Sequence, residues 1–232
     1  LFSGNLSVAA ITATSTVSTS ISITGSNERF LLVYLISKDP SGAVGAHVKV
    51  NFDGTGMTKI NTESWAPAGS RLNMTVWQMK EANLPASGTY TVLGSLSGNH
   101  TAVALGAMHF QGVAQGTPLV GTHFVEQSMT DPYVNVPSVP GNLVVAGLAQ
   151  AANDALSIST GTERVATTSN NARIAAASRS GTAGNTRIDW VGSGNYIILG
   201  YALAPGTVTG NASTPLVRTK SITSPPRGQY RV

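Results

Sequence analysis

Two adjoining stretches decide the fold class. The first is Ala13-Thr14-Ser15-Thr16-Val17-Ser18-Thr19-Ser20-Ile21-Ser22-Ile23-Thr24. The second follows the turn Gly25-Ser26-Asn27 and reads Arg29-Phe30-Leu31-Leu32-Val33-Tyr34-Leu35-Ile36. In the first, Val17, Ile21 and Ile23 share one side of an extended chain, and Thr16, Ser18, Ser20 and Ser22 the other. A period of two with one apolar side marks a half-buried β-strand. In the second, seven apolar residues run from 30 to 36 without a break, which marks a strand covered on both faces.

The same signals recur outward along the chain. Segments 48–52 and 57–60 flank Asp53-Gly54-Thr55-Gly56, a hairpin turn. Strands are expected at 72–79, at 89–93 after the turn Leu84-Pro85-Ala86-Ser87-Gly88, and at 102–110. Further strands are expected at 142–148, 155–159, 173–177, 186–191 and 196–204. Residues 111–141 hold Pro118, Pro132, Pro137 and Pro140 and read as a long excursion with at most a short strand at 119–125. The best helical candidate, 148–155, is too short to cover a sheet. Turns at roughly 8–12-residue spacing predict an all-β protein: an antiparallel β-sandwich, jelly-roll-like, over residues 1–206 as a single domain. Residues 207–232, with Pro215, Pro225 and Pro226, read as an extended C-terminal arm.

Composition agrees. Of 232 residues only 10 % are charged, against roughly 25 % in a typical soluble domain. Helical bundles and coiled coils need more Glu, Lys, Arg and Leu, and a disordered chain would not be 41 % hydrophobic. No apolar run approaches the roughly 18 residues of a membrane-spanning helix. The absence of cysteine excludes disulfides and thiolate metal sites. The chain opens on Leu1 with no leader pattern, and its Ser, Thr, Asn and Gly number 91. Together these read as a processed, extracellular or cell-surface protein.

Two features point to association. Segments 30–36, 102–105, 143–148 and 196–204 are apolar on both faces, and no helix can cover them. The expected cover is a loop such as 111–141 or a neighbouring copy. The arm holds Leu216-Val217-Arg218-Thr219-Lys220-Ser221-Ile222-Thr223, one strand's worth, whose Leu216, Val217 and Ile222 are the expected subunit-interface residues. Residues 1–23 are the other segment that a copy would lend. Charge is split as well. Residues 1–163 hold six Lys/Arg and nine Asp/Glu, and residues 164–232 hold eight Lys/Arg and only Asp189. The basic residues stand singly, with few aromatics between them, so nucleic acid is not the expected partner and head-to-tail self-association is.

Catalytic signatures are missing from the sequence. His47, His100, His109 and His123 lack zinc spacing, and His109 reads as a core residue. There is no Gly-x-Ser-x-Gly elbow and no P-loop. Asp53 reads as a turn residue, not a calcium ligand. No catalytic residue, metal or cofactor is expected. Trp77 and Trp190 read as core, whereas Trp65 in the polar stretch 62–67 is the candidate glycan contact. Asn5, Asn73, Asn99 and Asn211 head Asn-x-Ser/Thr sequons, at about the number chance supplies.

Gly25-Ser26-Asn27-Glu28-Arg29-Phe30-Leu31-Leu32-Val33 resembles the opening of a jelly-roll-like β-sandwich domain of bacterial surface-fibre and phage structural proteins. The resemblance continues at Met57-Thr58-Lys59, Val76-Trp77-Gln78-Met79 and Pro85-Ala86-Ser87-Gly88-Thr89-Tyr90-Thr91-Val92. It runs on through 106–113, Thr117-Pro118-Leu119 and Gly141-Asn142-Leu143-Val144-Val145 to Gly200-Tyr201-Ala202-Leu203-Ala204-Pro205. It implies a β-sandwich without shared catalytic residues. The arm departs from that pattern and favours a subunit that hands a strand to its neighbour. The expected function is therefore the structural subunit of a pilus-like extracellular filament, a homopolymer. A phage decoration or tail protein and a carbohydrate-binding module are the alternatives.

Overall fold

A computed structural model describes residues 6–25, 27–39, 47–66, 71–151, 155–169 and 172–206. The chain is antiparallel β throughout, with one 3-10 turn at Glu81–Asn83 among the described residues. The first half runs β1 (Leu6–Ile23), β2 (Phe30–Asp39), β3 (His47–Phe52), β4 (Thr55–Gly56), β5 (Thr58–Trp65), β6 (Arg71–Lys80) and β7 (Gly88–Phe110). The second half runs β8 (Leu119–Thr130), β9 (Tyr133–Ser138), β10 (Leu143–Gln150), β11 (Ser157–Thr160), β12 (Thr162–Ser169), β13 (Ala172–Ser180), β14 (Gly184–Val191) and β15 (Ser193–Leu203). No sheet shares strands between the halves. The first half forms one sheet, β4-β3-β7-β2-β6-β5 with β1 on the far side of β7. The second forms β12-β13-β10-β15-β8 and a smaller sheet β11-β14-β9.

Alternation sorts the buried side chains into three cores and the strands into four layers. Even-numbered residues of β2 and β6 (Phe30, Leu32, Tyr34, Ile36, Leu72, Met74, Val76) meet odd-numbered residues of β10 and β15 (Val145, Ala149, Ile197, Leu199, Tyr201, Leu203) in the central core. On the reverse face of the first half, Leu31, Val33 and Leu35 of β2 meet Val17 and Ile21 of β1, Val50 and Phe52 of β3 and Val92 of β7. That core exists because the first sheet folds over itself. β7 is 23 residues long and pairs with β3 over 92–96 but with β2 over 102–110. Its ladder to β1 slips between Thr14 and Thr16 at this bend, and Ser7 and Thr19 of the same strand end up 2.5 Å apart, hydroxyl to hydroxyl. On the reverse face of the second half, Val144, Ala146, Leu148 and Ile198 meet Val134, Val136, Ile188 and Trp190 of the small sheet.

The sheets approach closely where a side chain is missing. A Cβ on Gly147 of β10 would lie 2.4 Å from the Tyr34 ring, and one on Gly200 of β15 would lie 2.4 Å from Val136. Glycine at these two positions admits the aromatic and the branched side chain from the facing layer.

The expected all-β antiparallel sandwich is what the structure shows, but the cover of the doubly apolar strands is not what the sequence suggested. Neither a loop nor a second copy lies on β2, β7, β10 and β15; another sheet of the same chain does. Segments 89–93 and 102–110 are two ends of one strand. The helical candidate fails as well, because 148–150 belong to β10 and Ala151 is a bend. The Pro-rich stretch 111–141 carries two strands. Pro118, Pro132 and Pro140 flank them, and Pro137 sits within β9, an edge strand where a missing N–H is tolerated. The arm, including Leu216, Val217 and Ile222, lies outside the described residues.

Candidate functional site

Among the described residues the interior holds four basic side chains, Arg29, His47, His100 and His109. His47 is 4 % exposed, and its Nδ1 and Nε2 each lie 2.8 Å from a hydroxyl, of Thr75 and Ser37 respectively. The Trp77 indole donates to the same Thr75 hydroxyl, and the Asn73 amide to Ser37. Burial, with smaller contributions from His100 and Lys59, pushes the His47 pKa down to about 3. Ser37 is fully buried, so this Ser–His contact has no route to a substrate. His109 is also fully buried, and neither ring nitrogen has a hydrogen-bond partner. Burial and the nearby Arg29 charge lower its pKa to about 4. Arg29 is buried and held by Glu81 through three guanidinium contacts, the shortest 2.6 Å, and by the Pro85 carbonyl at 2.7 Å. Burial would raise the Glu81 pKa, but the hydrogen bonds and charge of Arg29 outweigh it and hold the carboxylate below its usual range. Among the described residues no three His, Asp or Glu side chains are grouped as metal ligands.

The four described arginines of the second half each contact another part of the fold. Arg164 donates to the Ser178 hydroxyl, Arg173 to the Leu156 carbonyl and Arg179 to the Arg187 carbonyl. Arg187 pairs with Asp189 and stacks 3.9 Å over Tyr133.

The structure disperses the residues singled out in the sequence. Trp65 lies in β5, not a loop, and is half-buried against the central core. Part of its ring is thus used for packing. Asn73 is buried in β6, which closes that sequon to a glycan on the folded protein. Asn99 is exposed at the bend of β7. Asn5 and Asn211 lie outside the described residues. Trp77 and Trp190 are buried, as their strand positions predict.

What the fold leaves accessible is a sheet edge. An unpaired strand edge recruits other strands unless it is short, charged, covered or broken by proline. Most edges here are guarded in one of these ways. β4 has two residues and β11 four, β5 carries Lys59 and Glu63, β9 carries Pro137, and β12 carries Glu163 and Arg164 and lies beside β1. β8 is different. It is 12 residues long, pairs only with β15 among the described residues, and contains a single ionised residue, Glu126. Val120 and Phe124 on this strand are 50 % and 51 % exposed. Beside Val120 a cleft of about 380 Å³ is lined by Val120, Pro137, Ser138, Val139, Asn142 and Gly184. Val139 is itself 58 % exposed. The sequence showed this edge only as the short strand expected at 119–125, and the surrounding prolines hid its length.

Comparison with protein-family models, with curated proteins and with solved structures finds no match to this chain.

Proposed function

We propose that this chain is a structural subunit that associates with copies of itself by strand addition, in an extracellular or cell-surface filament. The observation that supports this reading is the outer edge of β8, long, almost uncharged, and carrying exposed Val120 and Phe124. Backbone groups along such an edge supply affinity, and alternate side chains supply register. The faces of the doubly apolar strands pack within the chain, so the reading rests on the strand edge. The resemblance to surface-fibre and phage structural domains agrees with a non-catalytic role.

Electron microscopy and size-exclusion chromatography of the full chain test the reading. Polymers or discrete oligomers are expected, and Val120→Lys with Phe124→Lys should dissolve them by placing two cations on the edge. A chain that stays monomeric at high concentration overturns it.

A further inference from the structure

We propose that the strand received by β8 is residues 216–224 of a second copy, antiparallel, with Ile222 opposite Phe124; this rests on the self-association reading above. Three observations converge on it.

The first is pattern. With Ile222 opposite Phe124, Lys220 falls opposite Glu126, Ser224 opposite Thr122 and Leu216 opposite Thr130. Residues directly opposite in an antiparallel ladder share a face, so an apolar pair and an opposite-charge pair form side by side. Pro225 and Pro226, which cannot continue donating to the ladder, then fall at Gly121 and Val120, beside the cleft lined by Pro137 and Val139.

The second is charge. Residues 1–206 hold ten Lys/Arg and ten Asp/Glu, whereas residues 207–232 hold four Lys/Arg and no acid. Residues 119–138, which make the edge and the cleft, hold Glu126 and Asp131 and neither Lys nor Arg. A basic arm meets an acidic acceptor.

The third is reach. The Ala204 N–H donates to the Pro118 carbonyl and the Gly206 N–H to the Gly112 carbonyl, so the described chain ends near the start of β8 and heads away from it. The antiparallel register enters at the other end, at Thr130. The 12 residues of β8 cover about 36–40 Å at about 3.3 Å per residue. Residues 207–216 extend at most about 36 Å when fully stretched, with none to spare for turning back. A chain's own arm falls short, and a neighbour's does not.

The chain has no cysteine, so single-cysteine variants report cleanly. Phe124→Cys and Ile222→Cys are made separately, mixed and oxidised. A disulfide-linked dimer of the two different chains is expected, at least fivefold more abundant than when Phe124→Cys is mixed with Leu216→Cys. The chain carrying both Phe124→Cys and Ile222→Cys should give a ladder of linked species. Equal yields in the two mixtures, or a double variant that closes into a monomer, overturn the proposal. Size-exclusion chromatography of the same samples under reducing conditions separates the two levels. Oligomers without the specific linkage reject this pairing and leave the structural-subunit reading standing, while monomers throughout reject both.

Discussion

At the scale of single residues, burial of neutral histidine sets the acid limit of the fold. An unfolded histidine takes up its proton near pH 6.5, whereas buried His47 resists protonation down to about 3 and His109 to about 4. Between those values the unfolded chain binds more protons than the folded one. Stability is therefore fully present above about pH 6.5 and is lost progressively as pH falls towards 3. Urea unfolding at pH 7.5 and pH 4.5 should show the midpoint drop, with the drop reduced in His109→Phe. The same variant should be more stable than the parent at pH 7.5 by about 1 kcal/mol, because it removes two unpartnered buried nitrogens. Glu81→Ala has the opposite character. It leaves the buried Arg29 charge without its carboxylate, and a loss of about 3 kcal/mol is expected in the same assay. Gly147→Ala should cost about 1–3 kcal/mol by driving a methyl into the Tyr34 ring, and Tyr34→Leu should recover part of that loss. The sequence marked His109 as a core residue on its apolar neighbours alone. It gave no sign of the Ser37–His47–Thr75 group, whose members come from three separate strands.

At the scale of elements, what was legible depended on which pattern a strand followed. The second half of β1 alternates cleanly and was readable, as were the apolar runs of β2, β10 and β15. β12, Thr-Glu-Arg-Val-Ala-Thr-Thr-Ser, went unread because an edge strand with polar residues looks like a loop. β7 was read as two pieces because Ser97-Gly98-Asn99, exposed at its bend, carries a turn's composition. Amide exchange should separate these classes. The interiors of β2, β10 and β15, paired on both sides and covered on both faces, should exchange slowest, and β5 and β12 fastest. Uniform protection across both groups would contradict the layer assignment.

At the scale of the whole molecule, stacking explains the composition. β1, β7, β10 and β15 contain no Asp, Glu, Lys or Arg at all. Two of the four layers have protein on both faces, so fewer positions require charge than in a two-layer sandwich of the same length. The scarcity of charge is accounted for by contact of the chain with itself. The shared central core also predicts how the halves unfold. Trp77 reports on the first half and Trp190 on the second. With Trp65→Phe as background, Trp77→Phe and Trp190→Phe leave one reporter each, and their denaturation curves should coincide. Separate midpoints would show that the central core does not couple the two halves.

The order of the halves along the chain has a consequence for biosynthesis. Residues 6–110 are made before residues 119–203, and Phe30, Leu32, Tyr34 and Ile36 find no cover within their own sheet. Their cover, β10 and β15, is not complete until Leu203 has been made. At about 5–20 residues per second, translation of the intervening stretch takes roughly 5–20 s. For that interval the nascent protein carries a broad greasy sheet, and a shielding chaperone or slow, spaced initiation becomes a condition of good yield.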